Sequence, residues 1–129
     1  MNEGTTFKRP WGFYSDYFRD KNTVFKTLCI LPGHKISYQT HANRDETWYI
    51  KSGKALFKYS SSNEPLKNFS IEEIFEGQLL TIERGMAHQV INIGTDNLII
   101  QEMQSGTCDE HDIVRLEDDY AEIRDEYDK

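Results

Sequence analysis

Two cysteines and three prolines in 129 residues leave little with which to build a disulfide scaffold or a proline-rich linker. Cys29 lies in the apolar run "TVFKTLCIL" and Cys108 in a polar turn, and the two form no CxxC pair; two reduced thiols in an intracellular protein are the simple expectation. No apolar run approaches the ~20 residues of a membrane span, and the start "MNEGTTFKRPWG" has no apolar signal core, so a cytoplasmic chain without membrane contact is expected. An excess of basic residues is also missing. The net charge of −7 argues against nucleic acid and against an anionic lipid surface as partners. That charge is local: from Asp109 to Lys129, "DEHDIVRLEDDYAEIRDEYDK", ten acids face three bases, while the remainder carries twelve of each. The neutral remainder is therefore free to hold a small anion.

What the chain does have is aromatic residues, at 12%, and many short apolar runs punctuated by glycine. A chain of this length is expected to form one domain, residues 1–129, that buries roughly two-thirds of its unfolded surface. "GFYSDYF" and "TVFKTLCIL" flank the polar Arg19-Asp20-Lys21-Asn22 and read as a hairpin. "HKISYQTH" follows Pro32-Gly33, "ETWYIKSGKALFKYS" is two strands about Ser52-Gly53, and "EPLKNFSIEEIFEG" holds a weaker strand before Glu76-Gly77. "QLLTIERGMAHQVINIG" is again two strands, about Arg84-Gly85, and "NLIIQEMQSG" is a last one. Eight to ten short strands with glycine at the corners predict an all-β sandwich or small barrel. Only the tail reads as helical: Leu116, Tyr120, Ile123 and Tyr127 recur at helical spacing among charges, which predicts a short acidic helix covering one barrel edge.

Within "SYQTHANRDETWYI", Gln39 and His41 share one strand face, and Glu46 returns to it after the turn through Ala42-Asn43-Arg44-Asp45. Taken alone, the stretch has two readings: three ligands for a divalent ion, or solvated surface groups beside a turn histidine. His88 in "EGQLLTIERGMAHQVIN" opens a strand directly after a glycine turn and completes a set of two imidazoles, one carboxylate and one amide.

Gly33, Gln39-Thr40-His41, Glu46 and Gly53 form one block, and Gly77, Glu83-Arg84-Gly85, His88 and Asn92 a second. Their spacing resembles the two motifs of the cupin superfamily, whose small double-stranded β-barrel holds one metal. Gln39 stands where most cupins have a histidine, and Glu83 where the second motif has proline. The Gln-x-His…Glu…His set, with "KRPWGFY", "LPGHKISYQTHANRDETWYIKSGKALF" and "QEMQSGTCDEHDIVRLEDDY", resembles the cupin-type mannose-6-phosphate isomerase family. That family includes stand-alone proteins and the C-terminal domain of bifunctional mannose-1-phosphate guanylyltransferases. The resemblance implies a cupin double-stranded β-helix (a jelly-roll barrel) with the acidic helix at its end, and a metal held by Gln39, His41, Glu46 and His88. Zinc is the expected ion, with manganese, cobalt, nickel and iron as alternatives. Members read His-Arg-x-Glu-His-Trp where this chain has Asn43-Arg44-Asp45-Glu46-Thr47-Trp48, a change expected in the pocket wall rather than in the ligands.

The implied reaction interconverts mannose 6-phosphate and fructose 6-phosphate, with a sugar phosphate as the small-molecule partner. The resemblance points to Glu102 as the base and to Arg115 as the cation that offsets developing charge, and Arg44 flanks the metal to hold substrate oxygens. Parity agrees for Glu102, which shares a strand face with Leu98, Ile100 and Gln104. From the residues alone, Glu102 is equally a partner for an arginine, and Arg115 a salt-bridge partner of the tail. Lys54, Lys35, Arg84 and Arg9 are candidate phosphate clamps. The alternative functions are a non-catalytic cupin that binds a sugar phosphate or nucleotide sugar, and a cupin epimerase or dioxygenase. A homodimer is expected through an apolar sheet face to which "FKRPWGFYSDYF" contributes.

Overall fold

The computed structural model describes residues 4–127. Eleven strands follow one another: β1 (Thr5–Arg9), β2 (Gly12–Arg19), β3 (Thr23–Ile30), β4 (Tyr38–Thr40), β5 (Arg44–Ser52), β6 (Lys54–Ser60), β7 (Ser70–Phe75), β8 (Leu79–Ile82), β9 (Ala87–Asn92), β10 (Leu98–Gly106) and β11 (Val114–Glu117). They form two antiparallel sheets, one six-stranded in the order β1-β2-β3-β10-β5-β8 and one five-stranded in the order β11-β4-β9-β6-β7. The all-β expectation holds, with β1 and β11 added to the strands read from the sequence.

The β2–β3 hairpin forms where expected, and Asp20 explains its tightness: one carboxylate oxygen accepts the backbone N–H groups of Asn22 and Thr23, each at 2.8 Å. The other short turns behave differently. Ser52-Gly53 and Arg84-Gly85 do not close hairpins; each carries the chain from one sheet to the other, so β5 and β8 lie opposite β6 and β9. Gly53, at φ +96°, lets the corner pass close to β10, where an added Cβ would stand 3.1 Å from the Leu98 Cα.

Alternation sorts each strand into an inner and an outer face. Leu98, Ile100, Glu102 and Gln104 of β10 all point inward and are buried, while Gln101 and Met103 between them are exposed. Trp48, Ile50, Leu98 and Ile100 from the six-stranded sheet meet Ala55, Phe57, Ile74 and Val90 from the other to form the core. At one end of this sandwich the inward residues turn polar, and there the sheets enclose a cavity instead of packing shut.

The tail departs from the expected helix. Leu116 belongs to β11, which pairs with β4 through Val114↔Thr40 and Arg115↔Gln39, and the helix is a single short 3-10 segment, Ala121–Glu126. The helical spacing of four apolar residues was outweighed by the unsatisfied edge of β4, which offered β11 a ladder of backbone hydrogen bonds. Tyr120 anchors the segment by sharing a 2.7 Å hydrogen bond with His34 Nδ1 and by packing on the core, and Arg124 ties it to Asp118 at 2.8 Å.

Candidate metal centre and the cavity around it

The sheet registers bring the candidate ligands together. Gln39 of β4 is the direct Cα partner of His88 on β9, and Gln104 of β10 that of Glu46 on β5. His41 lies one residue past β4 and faces Glu46 across the gap between sheets. Donor atoms of His41, Glu46 and His88 all lie within 4.8 Å of one another, and all three residues are buried. His41 Nε2 is 3.3 Å from one Glu46 oxygen and His88 Nε2 is 3.7 Å from the other.

Both imidazoles are fixed in one orientation from behind. His41 Nδ1 lies 2.7 Å from the Asp112 carbonyl and His88 Nδ1 lies 2.9 Å from the Met86 carbonyl. A carbonyl can only accept, so each Nδ1 carries the proton and each Nε2 turns a lone pair to the centre. His88 Nε2 has no hydrogen-bond partner although it is fully buried. An orphaned lone pair aimed at a carboxylate and a second lone pair is costly in a protein and natural for a metal ligand. Burial first, then Arg44 and His88, push the His41 pKa down to about 3, which keeps that ring in its ligating form.

Gln39 completes the set, with its Nε2 amide 3.2 Å from His41 Nε2 and its Oε1 accepting from the Ser37 hydroxyl. A half-turn of the amide would reverse the two, presenting Oε1 to the centre while Nε2 donates to Ser37 Oγ. The four groups thus fit a divalent ion of borderline hardness. Glu46 is held from outside by Trp48, whose indole N–H donates to Oε1 at 3.0 Å, and by Arg44, whose Nε–H donates to Oε2 at 3.0 Å. Burial works against charge on Glu46, but His88, Arg44 and Lys26 outweigh it and hold its carboxyl below the usual range.

The cavity beside these residues has a volume of about 490 Å³. Glu102, Arg115 and Arg44 all line it, as do Gln39 and Glu46. Glu102 is buried with Lys26 at 3.8 Å and accepts from Gln104 Nε2 at 2.7 Å. Burial, followed by the charge on Glu46, raises its carboxyl above the ordinary range. Among the suggested phosphate clamps only Arg9 lines this cavity. Lys35 and Arg84 instead pair with Asp119 at 2.9 Å and Asp45 at 3.0 Å.

Sequence comparison then identifies the lineage. The family model described as mannose-6-phosphate isomerase C-terminal matches residues 1–118. The chain belongs to that family. Its curated relatives include the xanthan biosynthesis protein XanB of Xanthomonas campestris, 34% identical over 88% of this chain and 23% of that protein. A mannose-1-phosphate guanylyltransferase of Salmonella muenchen is 34% identical over 84% of this chain and 22% of that protein. The chain therefore spans less than a quarter of the length of these relatives. Among solved structures, the capsular polysaccharide assembling protein CapF of Staphylococcus aureus superposes with a TM-score of 0.73 at 16% identity, over 88% of this chain and 34% of that one. An uncharacterised double-stranded β-helix protein of Klebsiella pneumoniae gives 0.65 at 19%, over 84% and 90%. These likenesses place the fold as a cupin double-stranded β-helix.

Against the family pattern, Asn43 and Thr47 were expected to alter the pocket wall, and neither lines the cavity. Thr47 alternates with the inward Glu46 and Trp48 and so faces the opposite side of the sheet. Asn43 sits in the turn, its backbone N–H donating to Asp112 at 2.8 Å. Sequence reasoning missed Asp112, Lys26, Trp48 and Gln104 as supports of the site. Lys26 and Gln104 had a signal, since each is a polar residue on the inward parity of an apolar strand. Asp112 had none, because it reaches His41 from a loop 71 positions along the chain.

Proposed function

We propose that this chain is a metal-dependent aldose–ketose isomerase of a phosphorylated hexose, interconverting mannose 6-phosphate and fructose 6-phosphate. The observation that carries the reading is the convergence of two imidazole lone pairs and one carboxylate, walled on one side by a buried second carboxylate, Glu102. Zinc is the ion we assign, held by Gln39, His41, Glu46 and His88. When bound, the ion supplies Lewis acidity toward the substrate's carbonyl and hydroxyl oxygens. Glu102 takes the proton from C2 of the aldose, exchanges it with solvent, and delivers a proton to C1, while the proton on the C2 hydroxyl is transferred to O1. Gln104 holds the Glu102 carboxylate in place, and Lys26 favours its ionised form. Arg115 and Arg44 offset the negative charge that spreads over the two oxygens. The names of relatives in mannose-phosphate and polysaccharide synthesis support this substrate class.

A coupled assay on both hexose phosphates, with zinc, manganese or cobalt and with a chelator control, tests the proposal. Turnover that the chelator abolishes is expected; none with any of the three ions refutes it. The competing idea of a non-catalytic sugar-phosphate binder drew on the altered residues Asn43 and Thr47, neither of which lines the cavity, so they give it no support. Charged sugar phosphates are retained inside cells, and both Cys29 and Cys108 are free, so we assign the chain to the cytoplasm. Among the described residues no helix is long and apolar enough to cross a membrane.

We also infer a homodimer through the outer face of the six-stranded sheet. Phe13, Phe18, Phe25, Tyr49, Leu79 and Met103 are exposed on it, with Ser15, Thr27, Thr47 and Gln101 between them. A chain of net charge −7 repels its copies, and this face, apolar at its centre with Lys8, Asp45 and Lys51 toward its margins, is where two can meet. Light scattering at micromolar concentration should give the dimer mass, and Phe18→Ser/Phe25→Ser the monomer; a wild-type monomer contradicts it.

A further inference from the structure

The mechanism above leaves the substrate's phosphate without a partner, and the cavity holds more positive charge than the metal site uses. Arg9, Arg19, Lys26, Arg44, Arg115 and Arg124 line it against Glu46, Glu102 and Glu110. In a chain of net charge −7 this is a reversal of sign, and a low-dielectric recess concentrates its effect on an anion.

The sheet order gives the distance at which that charge is useful. From Glu46 on β5 the inner face steps to Gln104 and Glu102 on β10, from Glu102 to its direct partner Lys26 on β3, and on to β2, where Asp16 faces Lys26 and Tyr14 is the next inward residue. At a strand spacing of ~4.8 Å, β3 lies about 10 Å and β2 about 14 Å across the sheet from β5. An extended six-carbon chain with a terminal phosphate reaches roughly 9 Å from its first carbon to phosphorus, at ordinary bond lengths. With its first two oxygens at the metal centre, the phosphate arrives over β3 and β2.

Cations gather there around one aromatic ring. Lys26 Nζ lies 4.6 Å and Arg9 Cζ 5.0 Å from the Tyr14 ring centroid, and Arg9 Nη2 donates to the Tyr14 hydroxyl at 3.2 Å. Arg19 joins them from the end of β2, held by Asp16 at 3.0 Å and Glu110 at 3.3 Å. A second cavity, also about 490 Å³, shares Arg9, Tyr14 and Arg19 with the first, so this cluster stands where the metal-end cavity opens outward. Arg124 lines the first cavity too but is committed to Asp118 at 2.7 Å.

We propose that Arg9, Arg19 and Lys26, gathered around Tyr14, bind the phosphate group of a hexose 6-phosphate whose reacting end lies at the metal centre. Guanidinium groups suit a phosphate because their N–H fork matches its oxygens, and Lys26 adds a compact charge on the side nearest the sugar. The subsite deepens the isomerase reading and rests on it for the placement of the sugar.

The test is calorimetric titration of zinc-loaded protein with mannose 6-phosphate and, separately, with mannose. Wild type is expected to prefer the phosphate ester. Arg19→Gln should weaken binding of the ester by about 10- to 100-fold while leaving mannose unchanged, the loss typical of one hydrogen bond to a charged group. Arg19→Lys should restore part of it, which a purely structural role would not do. Arg19 is about one-third exposed, so its variants should fold; Arg9→Gln/Arg19→Gln, with Arg9 also donating to the Tyr127 carbonyl, is read only after a thermal melt. An unchanged preference for the ester in Arg19→Gln and in the folded double variant overturns the subsite, as does a wild type with no preference. Ester preference that Arg19→Gln abolishes, in a protein without turnover, upholds the subsite and refutes the isomerase reading instead.

Discussion

Replacing His41 by alanine separates metal binding from everything else the cavity does. The ring is 2% exposed, and Nδ1–H is already bonded to the Asp112 carbonyl, so its Nε2 lone pair is prepaid in orientation. Removing one of four donors should cost at least what a lost outer-shell partner costs, a 10- to 100-fold rise in Kd or about 1.4–2.8 kcal/mol. In the metal-free protein the change is smaller. An orphaned Asp112 carbonyl costs about 1 kcal/mol or more, partly offset because a buried polar ring no longer has to be desolvated. The increment that metal adds to stability should therefore shrink by about 1.4–2.8 kcal/mol or more at saturating ion, roughly 5–10 °C in Tm for a domain of this size. Paired thermal melts with and without zinc, together with titration of zinc into the chelator-treated protein, read both quantities. Wild-type Kd, stoichiometry and metal-induced Tm shift in His41→Ala would refute the ligand assignment.

Three other perturbations probe the supports of the site. Glu102→Gln keeps the shape of the side chain and should leave metal stoichiometry unchanged while lowering kcat by at least ~100-fold, the typical contribution of a general base; retained turnover would remove Glu102 from the mechanism. Asp112→Ala deletes the carboxylate that accepts from the Ala42 and Asn43 N–H groups, both at 2.8 Å, and should cost about 1–2 kcal/mol in denaturant unfolding. It should also weaken metal binding, because the carbonyl that orients His41 belongs to the same residue; an unaltered zinc titration would show that the loop does not position the ring. Gly12 at φ +148° would drive an added Cβ into the Cys29 carbonyl oxygen, so Gly12→Ala should destabilise by about 3 kcal/mol or more, and a wild-type melting curve would contradict the tight β2–β3 register.

Strand parity carried far in this chain because one face of each strand is buried. The inward set Leu98, Ile100, Glu102 and Gln104, and the shared face of Gln39 and His41, follow from a period of two without knowledge of the partner strands. Pairing is another matter. Nothing local distinguishes the corner at Ser52-Gly53, which switches sheets, from the hairpin at residues 20–23, which does not; the difference lies in whether β10 or β3 is available to pair, a contact far away in sequence. The same limit explains β11, whose four residues gain their extended form from the edge of β4 and not from their own pattern. In the cavity, residues that would touch an ion were legible because imidazole and carboxylate at that spacing are chemically conspicuous. The groups that orient them, the Asp112 and Met86 carbonyls, are backbone atoms and leave no mark on the sequence.

The most direct test of the central claim runs mannose 6-phosphate with zinc-loaded protein in D₂O and follows the sugar by NMR. Proton transfer through Glu102 predicts that fructose 6-phosphate appears with solvent deuterium at C1, and that Glu102→Gln gives neither product nor label. No fructose 6-phosphate from the wild type with zinc, manganese or cobalt, or full conversion by Glu102→Gln, would contradict the account.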